Sequence, residues 1–516
     1  MVSIVGHWLG SVQIPANDAQ KVDVCEDSYA GARGAFAELI AWSQGSASTT
    51  HAEFERALLT RGHEVLRRVY QGQLDQRFEG ERAVLRAQGK RRGVRVRVRR
   101  RPLETLVGRV SARRHALTRR GKRAEVPMDR ALNLPRDLYS HPLRERVADE
   151  ARRASWDETV ATIEKNTGAH VPKRQAELLT QRAAVDFDAF YEARSRADRN
   201  DDNAVSPDAF LVLTCDSKGV PMLPEDLRDA TRKRGDEAKR TALRGDPMAQ
   251  KKLRRHDRRM AIVTAVFDLE PHHRTADDIV RGLDKSDRTR RAKAPKPKNK
   301  RVWASVEKSQ ATGIAEMFDE ADRRDPSRAR TTVVLVDGEE RQIQEVKAQA
   351  KARGRSIILI VDLLHVLHYL YMAVSALRRK KEAETALGVQ HYLYKLLTDD
   401  TPHGVIQGLR ASATKQRLTP DERVPVERCA EYLLGVSRYI RYADYLPSGL
   451  PIATGVIEGA CRHLVQDRLG ITGARWRLDG AEAILKLRAL HSSGDLDEYW
   501  RFHEPREQLR RYDNAA

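Results

Sequence analysis

Apolar residues follow two rhythms in this chain, and the rhythm changes along it. In HAEFERALLTRGHEVLRRVYQGQL, which begins at His51, they recur every three or four positions, the spacing of one helix face. Residues 1 to about 80 are therefore predicted to be mainly helical. In GVRVRVRRR, from Gly93 to Arg101, the period drops to two, which predicts a half-buried strand with one cationic face. The segment ETLVGRVSARRHAL reads as its hairpin partner. Helical spacing returns between Ser140 and Val185 in two stretches broken at Thr167-Gly168. Pro172 lies near the first turn of the second stretch, a pattern similar to a helix-turn-helix.

Beyond residue 206 short apolar runs take over. AFLVLTCD (to Asp216), RMAIVTAVFDL (Arg259 to Leu269), TTVVLVD (Thr331 to Asp337) and SIILIVD (Ser356 to Asp362) read as strands, with helices at about Val306 to Arg323 and Glu339 to Ala352. Strands alternating with helices predict an α/β core with some parallel sheet. The segment DKSDRTRRAKAPKPKNKR, Asp284 to Arg301, holds nine basic residues and almost nothing apolar, and reads as a loop. Residues 372 to about 447 hold only helical patterns. Ser356 to Leu377 is long enough to suggest a membrane span, but Asp362, His365 and His368 interrupt it, so a strand running into a helix is the better reading. The chain thus divides into 1–80, 81–135, 136–205, 206–371, 372–447 and 448–516.

Charge changes the picture from a fold to a partner. The 516 residues carry 94 Lys and Arg against 73 Asp and Glu, a net +21, with 40% hydrophobic residues. That is enough apolar content for a core, and the surplus of cations points to a polyanion. Four cysteines without paired spacing exclude a disulfide scaffold and argue against structural zinc and for a reducing compartment. The first residues, MVSIVGHWLGSVQIP, lack the pattern of a signal peptide. Eight cations fall between Lys90 and Arg101. Arg91, Arg92, Arg95, Arg97 and Arg99 are the candidate phosphate contacts there, and Lys173, Arg174 and Gln175 are those at the start of the second helix.

Three carboxylates stand where chemistry is expected. Asp216 ends the first apolar run, Asp337 ends a later one before Gly338, and Glu458 lies in the predicted helix GVIEGACRHLVQDRLG. Ends of parallel strands are where α/β sheets place their sites, and an acid there is costly unless a cation or donor meets it. Oxygen ligands of this kind suit Mg²⁺ or Mn²⁺, and two such ions can drive an in-line phosphodiester displacement.

The series LTCDSKGV, VVLVDG, DLLHVLHYL and GVIEGACRHLVQDRLGITGARW resembles the DDE transposases of bacterial insertion sequences, in particular the ISKra-type family and its Mutator-like relatives. The resemblance spans about Pro127 to Leu490. It implies an RNase H-like core interrupted by an all-helical insertion, with Asp216 on the first strand, Asp337 after the fourth and Glu458 on a helix beyond the insertion. It implies a metal-dependent enzyme that binds its element's ends, cleaves with Mg²⁺ and joins the 3′-hydroxyl to target DNA. A homodimer or higher assembly on double-stranded DNA in the bacterial cytoplasm, associated with the nucleoid and not with a membrane, is implied as well. Asp362 and His365 match an Asp-x-x-His element of the family; Asp362 competes with Asp337 as second ligand, and otherwise both are auxiliary. Arg462, four residues after Glu458, is placed to orient that carboxylate or meet a phosphate. Arg475 and Trp476 are placed to clamp DNA by charge and stacking, with core packing as the other reading for Trp476. The paired cysteines many relatives carry near the hairpin are missing, and Ser217 stands where glycine is usual. A non-catalytic regulator derived from a transposase and an RNase H-like nuclease without strand transfer remain open as alternatives.

Overall fold

The computed structural model describes residues 27–87, 89, 93–197, 206–242, 257–283, 294–379, 381–453, 455–471 and 473–513. The first fifteen residues, Cys25, Lys90, Arg91, Arg92 and most of the basic segment 284–301 lie outside them. The chain forms two compact units: Met1–Leu143 with Ile163–His170 and Glu507–Ala516, and Arg144–Thr162 with Val171–Arg506.

In the first unit, helix Ala30–Gln44 packs on the 37-residue helix His51–Ala87, which runs through the boundary expected at residue 80. Strands β1 (Arg95–Thr105) and β2 (Gly108–Thr118) form the expected antiparallel hairpin. Leu74, Leu103, Val110, Ala112, Met128 and Leu134 make a small core, and Phe78 stacks on His115 at 4.4 Å. Burial is uneven along β1. Leu103 to Thr105 are buried, whereas Arg95 to Arg100 are exposed on both faces, with Val96 and Val98 at 51% and 59%. The expectation of a half-buried strand fails over that part of β1. Alternation requires a covering layer, and none of the described residues covers these valines.

The second unit begins with three helices where two stretches were read: His141–Ala151, Trp156–Thr167 and Lys173–Ala183. The extra break has a local cause, since Ser155 and Glu158 exchange side-chain and backbone hydrogen bonds as a capping box, starting a new helix. A five-stranded sheet follows: β3 (Phe210–Pro221), β4 (Arg258–Leu269), β5 (Lys298–Ser305), β6 (Thr332–Val336) and β7 (Ile358–Val361). Its order is β5-β4-β3-β6-β7, antiparallel among β3, β4 and β5 and parallel from β3 to β6 to β7. Helices Gln310–Arg324, Glu340–Ala352 and Leu363–Leu377 alternate with the later strands.

Two expectations are corrected. β5 begins at Lys298, inside the segment read as loop, because its KNKR half is an exposed, charged ladder partner of β4 and only Val302 to Ser305 are buried. β3 continues past Asp216 to Pro221, because the polar stretch Asp216–Pro221 pairs with Val263–Arg258 of β4. Beyond the sheet, helices Glu382–Thr398, His403–Lys415 and Pro420–Gly435 pack around Leu363–Leu377. No helix among the described residues is long and apolar enough to cross a membrane.

Candidate active site

Register brings the first two acids together. The β3–β6 ladder pairs Thr214 with Leu335; two residues further on each parallel strand, Asp216 stands level with Asp337. What ends at that level is β6 and not β3, so the site lies where a short strand stops beside a longer one. Glu458 comes from the helix Gly455–Ala460, which packs against β3 and β4.

The three carboxylates feel one another. Burial raises the pKa of Asp337; the Glu339 N–H bonded to its Oδ1 at 2.8 Å and the nearby His365 oppose this, and Asp216 adds to it. Burial likewise raises the pKa of Glu458, with its own backbone N–H and His365 opposing and Asp216 adding. Both oxygens of the Glu458 carboxylate are shielded from water, and apart from its own backbone N–H no group among the described residues donates to them. That is an expensive state for an ionised group unless a cation or proton joins it. Among the described residues no three His, Cys, Asp or Glu side chains form a ready-made metal cage; the acids are gathered within electrostatic reach and are not converged on one point.

The surroundings hold Asp216 and Asp337 firmly. Ser217 N–H donates to Asp216 Oδ1 at 2.6 Å, and the Cys461 thiol donates to Oδ2 at 3.3 Å. Burial, then Asp216, raises the pKa of that thiol and keeps it a donor. Cys461 opens a six-residue π-helical stretch, Cys461–Gln466, directly after the Glu458 helix. A residue three places on shares a helix side with the first, and Cys461, three residues after Glu458, faces Asp216. At Asp337, Tyr432 Oη donates to the main-chain carbonyl at 2.7 Å, and Gly338 follows with φ +93°. A Cβ on Gly338 would stand 2.9 Å from the Tyr432 ring, so glycine is needed there for both conformation and space. Gln342, 1% exposed, accepts from Asp337 N–H at 3.2 Å and donates to the Cys215 carbonyl at 3.1 Å.

The auxiliary residues divide. His365 is half-buried and near Asp337 and Glu458. Asp362, 3% exposed, caps helix Leu363–Leu377 by accepting from Leu364 N–H at 2.8 Å, the ordinary task of an acid at that position. Arg462 does not orient Glu458: its side chain is exposed and pairs with Asp467 at 3.5 Å. Arg475 is exposed and 3.9 Å from Asp257. Trp476 is no stacking platform. It is 4% exposed, donates to the Leu469 carbonyl at 3.2 Å, and with Trp156 flanks the buried Arg468 guanidinium, whose pKa burial lowers to about 10.

Of the candidate DNA contacts, Arg95, Arg97 and Arg99 are exposed on β1, and Arg91 and Arg92 lie outside the described residues. Lys173 and Arg174 open helix Lys173–Ala183 and are exposed, paired to Asp157 and Glu177 at 2.7 Å each; Gln175 is half-buried. Exposed pairs of this kind are weak and can be exchanged for phosphate. Nothing in local periodicity marks Gln342, Tyr432 or Cys461, because each reaches a strand end far away in the chain. Among known proteins, no family model and no curated protein matches this chain.

Proposed function

We propose that this protein is a metal-dependent DDE transposase that binds the ends of its mobile element, cleaves phosphodiester bonds and joins the 3′-hydroxyl to target DNA. The observation that carries the reading is that Asp216 lies within electrostatic reach both of Asp337, just past the end of the neighbouring parallel strand, and of Glu458 on a distant helix, whose carboxylate oxygens are shielded from water and bonded by no other residue. The strand order, in which three antiparallel strands precede two parallel ones and the first strand is central, supports an RNase H-like core. The helices between residues 382 and 435 stand as its insertion.

The donor set fits divalent cations: hard carboxylate oxygens, two of the groups raised in pKa by burial and one bonded by no other residue. Asp216, Asp337 and Glu458 would hold Mg²⁺ or Mn²⁺, two ions in this reading. Bound there, the ions supply activation of an attacking oxygen and charge stabilisation of the leaving one. The chain's own residues do the rest. Cys461 and the Ser217 N–H fix the Asp216 carboxylate, and Tyr432 fixes the Asp337 backbone. Arg95, Arg97, Arg99, Lys173 and Arg174 would contact phosphates and hold register without reading sequence. The Glu458 helix also lines a cleft of about 620 Å³ whose described lining includes Arg274, Lys296 and Lys300 and no carboxylate, a surface suited to a nucleic-acid strand.

The test is cleavage of a DNA duplex carrying the element end by wild type and by Asp216→Ala in Mg²⁺. Cutting and joining by the wild type alone supports the proposal. Cutting without joining would make the protein a nuclease, and binding without cutting by either form would make it a DNA-binding regulator.

A further inference from the structure

From the geometry we infer that Gln342 is a positioning residue that sets the separation of Asp216 and Asp337 by standing in for a rung of the β3–β6 ladder. The inference rests on the reading of those two acids as metal ligands.

In a parallel ladder, N–H and C=O groups of adjacent strands bond directly. The register between β3 and β6 ends at Thr214 and Leu335. One step on, the Cys215 carbonyl of β3 and the Asp337 N–H beyond β6 do not bond each other. Each bonds an end of the same side-chain amide: Asp337 N–H donates to Gln342 Oε1 at 3.2 Å, and Gln342 Nε2 donates to Cys215 O at 3.1 Å. A primary amide between two strands separates them by more than a direct hydrogen bond does. The wedge lies immediately beside both acids, since Cys215 precedes Asp216 and Asp337 is itself a partner.

The wedge cannot easily slip. Gln342 lies in the first turn of helix Glu340–Ala352 and is 1% exposed, so no water can replace its contacts cheaply. The Asp337 carbonyl is held from the other side by Tyr432 Oη at 2.7 Å. The backbone of one acid is thus gripped at both its amide and its carbonyl, and the amide grip extends to the strand of the other acid. Supporting groups of this sort tune metal affinity without touching the metal.

The test measures Mn²⁺ affinity of the full chain by calorimetry and the bound-Mn²⁺ electron paramagnetic resonance signal, alongside thermal melting. Three variants are compared with wild type. Gln342→Leu keeps the bulk and removes both bonds; Gln342→Glu keeps the shape and the acceptor but offers a donor only when protonated; Gln344→Leu, on the exposed face of the same helix, is the control. Expected is about 10- to 100-fold weaker Mn²⁺ binding with an altered resonance signal for Gln342→Leu, an intermediate loss for Gln342→Glu, and no change for Gln344→Leu. If folded Gln342→Leu binds Mn²⁺ as wild type does, the inference is overturned and Gln342 is merely structural. Should Gln342→Leu not fold, Gln342→Glu decides by the same comparison. If wild type itself binds no Mn²⁺, it is the metal-enzyme reading that fails, a different result.

Discussion

Charge is handled in opposite ways in the β1–β2 hairpin and in the five-stranded sheet. The hairpin exposes Arg95, Arg97, Arg99 and Arg100 to water on a strand with no covering layer, where each charge costs little and each is free to meet a phosphate. The sheet admits few charges and nearly always gives them partners. Arg355, 4% exposed, bonds Asp322 and Asp325; Glu320, held well below the usual carboxylate range, is bonded by Arg301, Arg323 and Arg324; and Asp268 pairs with Arg330 at 2.7 Å. Glu458 is the exception. A buried charge with partners is architecture, whereas a buried charge without one is an invitation to a ligand.

The comparison can be broken most severely at the acids. Asp216→Ala or Asp337→Ala should lower DNA cleavage on the order of 10³-fold or more while DNA binding persists, as measured by gel cleavage and shift assays on one duplex. Next in size, Arg355→Met should destabilise the fold by about 1–3 kcal/mol in urea titrations, because it takes the cation from Asp325, 3% exposed, and leaves it only the Ser327 hydroxyl and the Ala329 and Arg330 N–H groups. If that loss is small, the contrast between partnered and unpartnered charges is wrong.

Glu458→Gln should do the reverse in the metal-free protein. A carboxyl whose pKa is raised by folding favours the folded state most in its neutral form. Its contribution is fully present below the unfolded pKa of about 4.3 and is lost as pH rises through the higher folded value. The variant, always neutral, should therefore melt at the wild-type temperature near pH 4 and higher at neutral pH, by about 2–4 °C for each kcal/mol relieved. Mg²⁺ should raise the wild-type melting temperature and leave the variant's unmoved.

The smallest effects belong to the hairpin. Single changes of Arg95, Arg97 or Arg99 to Ala should each lower the slope of log affinity against log salt by about 0.9, uniformly across DNA sequences, and alter stability by less than about 0.5 kcal/mol. Salt-dependent binding assays and melting curves check both halves of that statement.

Much of the core was legible in one dimension. The apolar runs around Leu211, Val263, Val334 and Ile360 each became a strand, because four or more consecutive buried residues leave few other options. The helical segment after Leu377 and the hairpin were equally plain. β5 was not, since a charged edge ladder looks like a loop until its partner is known. The exposure of Val96 and Val98 was invisible for the same reason: alternation says which residues share a face and says nothing about what covers it. Cys461 bonds Asp216 while Arg462 pairs with Asp467, an outcome no i+4 count anticipates.

Which acids are available, which apolar runs two of them end, and how strongly cationic the chain is can all be read in one dimension. Only folding brings Asp216 and Asp337 onto neighbouring strand ends, bridges their strands through Gln342, buries Trp476 and shields the Glu458 carboxylate where no other residue donates to it. The reason is one of range. Composition, period and propensity are properties of neighbours in the chain, whereas register, burial and hydrogen-bond satisfaction are properties of residues that folding brings together across a hundred or more positions.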